Sequence, residues 1–176
     1  VSTRKAIEIN PSFAEAHFNL GNILSDLGNL KEAEFSYRKA IEIKSDYAEA
    51  HSNLGNILRS LGKSQEAEVS TRKAIEHRPD FAFAHLNLGS ILSNLGKLKE
   101  AEVSTRKAIE INPDYAKAHS NLGNILSDLG NLKEAEFSYR KAIKLNPDYP
   151  NAYFNLFNYY EQINNLEKLK ESLNEF

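Results

Sequence analysis

Apolar residues fall on helical spacing near the start of the chain. Ala16, Leu20, Ile23, Leu24 and Leu27 recur every three or four positions, which predicts a helix with one buried face. Gly28 follows at once, and glycine accepts the left-handed backbone that closes a helix. A second run, Leu30, Ala33, Phe35, Tyr37, Ala40 and Ile41, predicts a second helix. It stops near Ser45. Later copies carry Pro79, Pro113 and Pro147 there, and proline cannot continue a helix but can open the next one. Capping boxes are expected at Ser12-x-x-Glu15 and Asp46-x-x-Glu49 before first helices, and caps at Asn29-x-x-Glu32 and Asn131-x-x-Glu134 before second helices. Gly21 lies inside the first helix, where glycine costs about 1 kcal/mol relative to alanine. The expected return is close approach to the small Ala33 across the hairpin, repeated as Gly55, Gly89 and Gly123 with Ala67, Ala101 and Ala135.

The helix pair recurs. His-x-Asn-Leu-Gly begins at His17, His51, His85 and His119, a decayed copy begins at Tyr153, and every spacing is 34 residues. A fixed period in this range signals a repeat array, in which a unit cannot bury its apolar face alone and must stack on its neighbours. The units read 14–47, 48–81, 82–115 and 116–149, joined internally near Gly28, Gly62, Gly96 and Gly130. Residues 1–13 read as the second helix and linker of a truncated unit. Residues 150–176 read as a degenerate unit in which Phe157, Asn164 and Leu169 replace the small residues and Leu166–Phe176 lacks a proline stop. Asn19–Ile41 and Asn121–Ile143 are identical over 23 positions. Val1–Ile7 matches Val69–Ile75, so the chain begins inside a repeat and its natural amino terminus is expected upstream. The half unit Val1–Asn10 and the far end are expected to offer apolar surface for head-to-tail self-association.

These units resemble the tetratricopeptide repeat family. Leu20, Gly21, Leu24, Ala33, Tyr37 and Ala40, their equivalents in three further units, and the closing prolines carry the resemblance. The histidine column stands where the family most often has tryptophan. The resemblance implies an all-α, right-handed superhelical solenoid of antiparallel helix pairs whose first helices line a concave face, with a protein or peptide as partner.

Composition narrows the picture. Apolar residues make up 41% of the chain, too many for a disordered tail. The apolar runs are too short to span a membrane. A net charge of −2 with no basic block argues against nucleic acid. The absence of cysteine removes disulfides, thiolate metal sites and thiol catalysis. No glycine-rich phosphate loop, nucleophile elbow or metal motif appears, so neither catalysis nor a cofactor is expected. No charged leader precedes an apolar stretch, and a cytoplasmic setting is favoured. The histidines sit one unit apart, on backbones about 8–10 Å apart. Zinc needs nitrogens converging at about 2.0–2.1 Å. A packing role is therefore expected, not a metal site. Acids early and bases late in second helices, such as Glu32 and Glu34 before Arg38 and Lys39, suit the helix dipole and read as a solvated face.

The candidate binding residues lie on first helices. One column is Asn19, Asn53, Asn87, Asn121 and Asn155; a second is Asn22, Asn56, Ser90, Asn124 and Asn158. Asparagine is a mediocre helix former, so its recurrence asks for a reason. Its carboxamide offers both donors and an acceptor, matching a peptide unit. Helices about 8–10 Å apart would meet an extended chain, advancing about 3.3 Å per residue, at roughly every third residue. Two roles stay open: holding a ligand backbone, or bonding neighbouring helices to fix the superhelix. The first column is also similar to that in the arrays of O-linked GlcNAc transferases, where it implies contact with substrate peptide. Phe83 and Leu86, three apart, are the expected side-chain-reading anchors, with Phe18 and Phe154 beside them. Some arrays of the family grip a terminal carboxylate with lysine and arginine. Here the matching positions hold Glu15, Glu49, Phe18, Ser52 and asparagines, with only Lys117 fitting. The expected function is a scaffold for an extended peptide segment. The alternatives are a substrate-selecting array of a glycosyltransferase, sulfotransferase or methyltransferase, and a self-assembling solenoid.

Overall fold

The computed structural model of the chain describes residues 2–163, so the expectations for Asn164, Leu169 and Leu166–Phe176 lie outside the described residues. Ten helices and no strand occur among them: α1 Ser2–Ile9, α2 Ala14–Asp26, α3 Leu30–Ile43, α4 Ala48–Ser60, α5 Ser64–His77, α6 Ala82–Asn94, α7 Leu98–Ile111, α8 Ala116–Asp128, α9 Leu132–Leu145 and α10 Pro150–Gln162. None of them is long and apolar enough to cross a membrane.

The hairpin turns follow from one residue each. Gly28, Gly62, Gly96 and Gly130 have φ between 73° and 80°, the left-handed region. In the first turn Gly28 N–H donates to Ser25 O at 3.0 Å and Asn29 N–H to Leu24 O at 2.8 Å, the paired bonds of a Schellman stop. The chain reverses within three residues, so α2 and α3 pack antiparallel.

The expected capping boxes do not form. α2 and α4 start one residue later than the boxes require, with Phe13 and Tyr47 at the N-cap and no side-chain cap bond. Glu15 and Glu49 thus fall at the second helical position, one short of where a box closes. Asn29 and Asn131 do occupy N-caps, but with ψ of 64° and 61° their side chains make no cap bond. The aromatic N-caps have other work: Tyr47 packs on Phe18 at 4.9 Å between ring centroids, and the Arg78 guanidinium lies 3.6 Å over Phe81. The histidines lock the same loops. Nε2–H of His17, His51, His85 and His119 donates to the carbonyl of Pro11, Ser45, Pro79 and Pro113 respectively, each at 2.9 Å.

Within a unit, the close approach at Gly21 is real but its partner differs from expectation. A Cβ on Gly21 would lie 2.6 Å from Cε1 of Tyr37, one turn beyond Ala33. Gly89 faces Thr105 Oγ1, and it meets Ala101 only through the carbonyl oxygen, 3.2 Å from its Cβ position. The helices cross between the alanine and the residue four positions later.

Between units the two helices behave differently. The first helices α4, α6, α8 and α10 touch in succession, whereas consecutive second helices do not pack on each other among the described residues. Each second helix packs instead on the first helix of the next unit. The first helices therefore form the inner side of a curved stack and the second helices the outer side. Long side chains bridge the outer side: Arg38 pairs with Glu34 and Glu66, Arg72 with Glu68 and Glu100, and Arg106 with Glu102 and Glu134. The arginines and the acids across each gap, Glu66, Glu100 and Glu134, are half exposed or more, whereas Glu34, Glu68 and Glu102 are largely covered. Each exposed cross-gap pair contributes about 0–1 kcal/mol.

Substitution at the crossing tests this packing. Gly89→Ala, and separately Ala101→Leu at a fully buried site, should each overpack the unit and lower stability by about 1–3 kcal/mol. Urea unfolding would show this as a lower midpoint, and an unchanged midpoint would refute the crossing. A second prediction concerns pH. Burial lowers the pKa of His51, outweighing the bond to Ser45 that raises it, with His77 and Lys73 lowering it further. The unfolded chain then takes the proton first as pH drops below about 6.5. The contribution of neutral His51 is full above that pH and is lost as pH falls through the lowered folded value. The urea midpoint should therefore drop between about pH 7.5 and about pH 5.5, and drop less in His51→Gln.

Candidate inner-face binding site

The two asparagine columns lie three residues apart on first helices, so both look towards the inner junctions between units. The first column does not stand free. Nδ2 of Asn53 donates to Asn22 Oδ1 at 3.0 Å, and Nδ2 of Asn87 to Ser52 Oγ at 3.2 Å. Asn121 donates to Ser90 Oγ at 2.7 Å and Asn155 to Ser120 Oγ at 3.1 Å. Each bond runs back to the first helix of the preceding unit. The partner changes for a simple reason. Where the preceding unit offers Ser52 or Ser120, the amide bonds there; where that position is Phe18 or Leu86, it turns to Asn22 or Ser90. Asn19 is exposed.

The second column is tied within its own unit as well, while Asn22 and Ser90 also receive the amides of the next unit. Asn22 Oδ1 accepts from the Tyr37 hydroxyl and Asn124 Oδ1 from the Tyr139 hydroxyl, both at 2.8 Å. Asn56 Oδ1 accepts from Arg59 at 3.1 Å, and Ser90 Oγ donates to Leu86 O at 3.1 Å. Asn158 is exposed. Between α2 and α4 these groups form a polar cup of about 360 Å³ lined by Asn22, Ser25, Asp26, Tyr37, Asn53, Asn56 and Ile57.

The expected anchors fare unevenly. Leu86 is only 1% exposed and packs with Ala108 and Ala118, so it cannot read a ligand. Its column, with Ser52 and Ser120, faces into the packed junction. Phe83 is half-buried with its ring 5.9 Å from Phe81, and the structure does not bring the two anchors together on the groove. Phe18 is held between Tyr37 and Tyr47 at 5.9 and 4.9 Å, while Phe154 is exposed. Lys117 is exposed. Among the described residues no group of histidines and carboxylates is placed to hold a metal.

The outer face carries a feature the sequence reading missed. Grooves of about 550, 890 and 530 Å³ open between successive second helices, floored by Leu54 and Leu58, by Leu88 and Leu92, and by Leu122. Phe35, Val69, Val103 and Phe137 stand exposed along this face. The apolar rhythm of its helix places Phe35 in the buried pattern, and the structure does not. Two residues from both Ala33 and Tyr37, it lies about 200° round the helix from each. That angle, with an apolar residue at the position in each of the four full units, was the available signal.

Models of the tetratricopeptide repeat match residues 48–81, 82–115 and 116–149; a further model of that description matches 3–35 and 138–171, and one described as TPR repeat matches 21–62. No curated protein matches the sequence. Solved structures do. YrrB, described as a TPR protein with an unusual peptide-binding site, is 28% identical with a TM-score of 0.74, over 99% of this chain and 90% of that one. PilW, a widely conserved type IV pilus biogenesis factor, is 22% identical with a TM-score of 0.89, over 97% of this chain and 80% of that one. A thermophilic TPR protein of Thermus thermophilus is 22% identical with a TM-score of 0.81, over 90% of this chain and 87% of that one. The last two likenesses speak to the fold alone.

The amide ladder makes a direct prediction. Asn87→Ala would strip the partner from Ser52 Oγ, in a side chain that is fully buried, and should lower stability by about 1–3 kcal/mol. Asn19→Ala, at an exposed position, should stay within about 0.5 kcal/mol of wild type. Equal urea midpoints for the two variants would remove the ladder from the account of stability.

Proposed function

The chain belongs to the tetratricopeptide repeat family, and on that premise we propose that this protein-interaction scaffold holds an extended peptide segment along its inner face. The observation that carries the reading is the row of side-chain amides repeated from unit to unit on the first helices. Nδ2 of Asn53, Asn87, Asn121 and Asn155 serves the junctions, and Asn87 is itself buried with Nδ2 also directed at the Ser52 carbonyl. It is therefore the Oδ1 of the half-buried Asn53, Asn121 and Asn155 that would accept from a ligand backbone. Asn19, Asn56 and Asn158 add amides that hold no two units together. The peptide-binding site in the description of YrrB supports the reading by likeness, as does the resemblance of the asparagine column to O-linked GlcNAc transferase arrays. Contacts to backbone amides would make binding broad. Phe83 and Phe154 would add modest side-chain preference.

Screening a peptide array with wild type and two triple variants tests this. Asn19→Ala, Asn56→Ala and Asn158→Ala together should weaken binding to many unrelated peptides alike, at about 0.5–1.5 kcal/mol per lost bond, with the unfolding midpoint little changed. Asn53→Ala, Asn87→Ala and Asn121→Ala together should lower both affinity and stability. Wild-type binding by the first, folded variant would confine the asparagines to a structural role.

A further inference from the structure

The inner face is not uniform along the array. Asp26 lines the polar cup between α2 and α4, beside Asn22, Asn53 and Asn56 and next to Tyr37. Burial, with the Asp26 charge adding to it, pushes the Tyr37 hydroxyl up to about 12, so it remains a donor to Asn22 across the neutral range. Asp128 stands in the same place at the other end, because Asn121–Ile143 repeats Asn19–Ile41 residue for residue. The Tyr139–Asn124 bond there matches the Tyr37–Asn22 bond at 2.8 Å, and burial, with the Asp128 charge, again pushes the tyrosine up. In the two middle units the aspartate position holds Ser60 and Asn94, and the tyrosine position holds Thr71 and Thr105. Among the described residues neither Asp26 nor Asp128 has an ion pair, whereas Glu49 on the same type of helix binds Arg78 at 2.6 Å. Arg59 reaches the rim of the first cup but bonds Asn56 and not Asp26.

An unpaired carboxylate among neutral amides attracts a cation whose remaining N–H groups the amide oxygens accept. We propose that Asp26 and Asp128 are two seats for cationic side chains, lysine or arginine, of a single extended segment bound along the inner face. This rests on the groove reading above and names the ligand it takes. The seats lie three units apart. With helices about 8–10 Å apart this is roughly 27 Å, which an extended chain covers in about eight residues at about 3.3 Å each. The middle units, without the acid, hold the neutral stretch between the two cations.

The test uses fluorescein-labelled peptides built from serine, alanine and threonine, acetylated and amidated at their ends. One carries two lysines eight positions apart, one carries two adjacent lysines, one carries two glutamates at the wider spacing, and one is neutral. Titrations followed by anisotropy should show the widely spaced lysine peptide binding wild type roughly tenfold tighter than the neutral one, an advantage that shrinks as salt rises. Adjacent lysines should gain less and the glutamates should bind worst. Asp26→Asn with Asp128→Asn should bring the widely spaced lysine peptide down to the neutral peptide and leave the neutral peptide unchanged. Equal binding of lysine and neutral peptides to wild type, or a lysine advantage that survives in the double variant, overturns the two seats and leaves the groove standing. Failure of every peptide to bind overturns both.

Discussion

Everything in this array depends on the close crossing of two helices within each unit. Gly21, Gly55, Gly89 and Gly123 have no side chain at the crossing, and the space is taken by Tyr37, Thr71, Thr105 and Tyr139. With the pair drawn together there, the alanines Ala33, Ala67, Ala101 and Ala135 are sealed completely. The leucines on the facing helix turn towards the next unit. The stack then has no central core, only a chain of small clusters, each bridging one junction or, around Leu54 and Leu58, two.

The two sides of the stack are held by different forces. On the inner side, first helices touch, and short amide-to-hydroxyl or amide-to-amide bonds cross each junction. On the outer side, second helices stand apart, and flexible charged side chains span the gap. Short neutral bonds in a half-buried junction are insensitive to salt, and exposed ion pairs are not. The inner surface is therefore the better-fixed template, as the proposed recognition of a ligand backbone at constant spacing requires. The outer gaps open onto apolar floors.

Small exchanges at the crossing tune the inner face. A tyrosine there reaches across the pair, so Tyr37 and Tyr139 set the orientation of Asn22 and Asn124. A threonine cannot reach that far. Thr105 bonds the Ala101 carbonyl of its own helix at 2.8 Å, and Thr71 Oγ1 has no partner among the described residues. The two second-helix versions, Phe-Ser-Tyr and Val-Ser-Thr, thus alter the chemistry of the opposite helix. The packing of a unit and the polarity of its groove surface are set by the same residue.

Much of this was legible in the chain. The period of 34 residues, the helix pairs and the stops at Gly28, Gly62, Gly96 and Gly130 were legible because they are local. A left-handed glycine and a helical apolar rhythm constrain the backbone within a few residues. The asparagine columns were legible as columns. Their bonding was not, because the partner of each amide is about one repeat away and depends on whether Ser52, Leu86 or Ser120 occupies the neighbouring face. The burial of Leu86 and the exposure of Phe35 were likewise decided by the junctions. An apolar residue on a helix carries no mark of whether a neighbour will cover it; only the angle at which units stack determines that. The capping boxes failed on the same ground, since the aromatic packing of Tyr47 on Phe18 accompanies a helix start one residue later than the local pattern indicated. Sequence determined the units and their order, because those rest on short-range backbone preference. Tertiary structure decided which face of each unit is a surface, because that rests on contacts between residues a repeat apart.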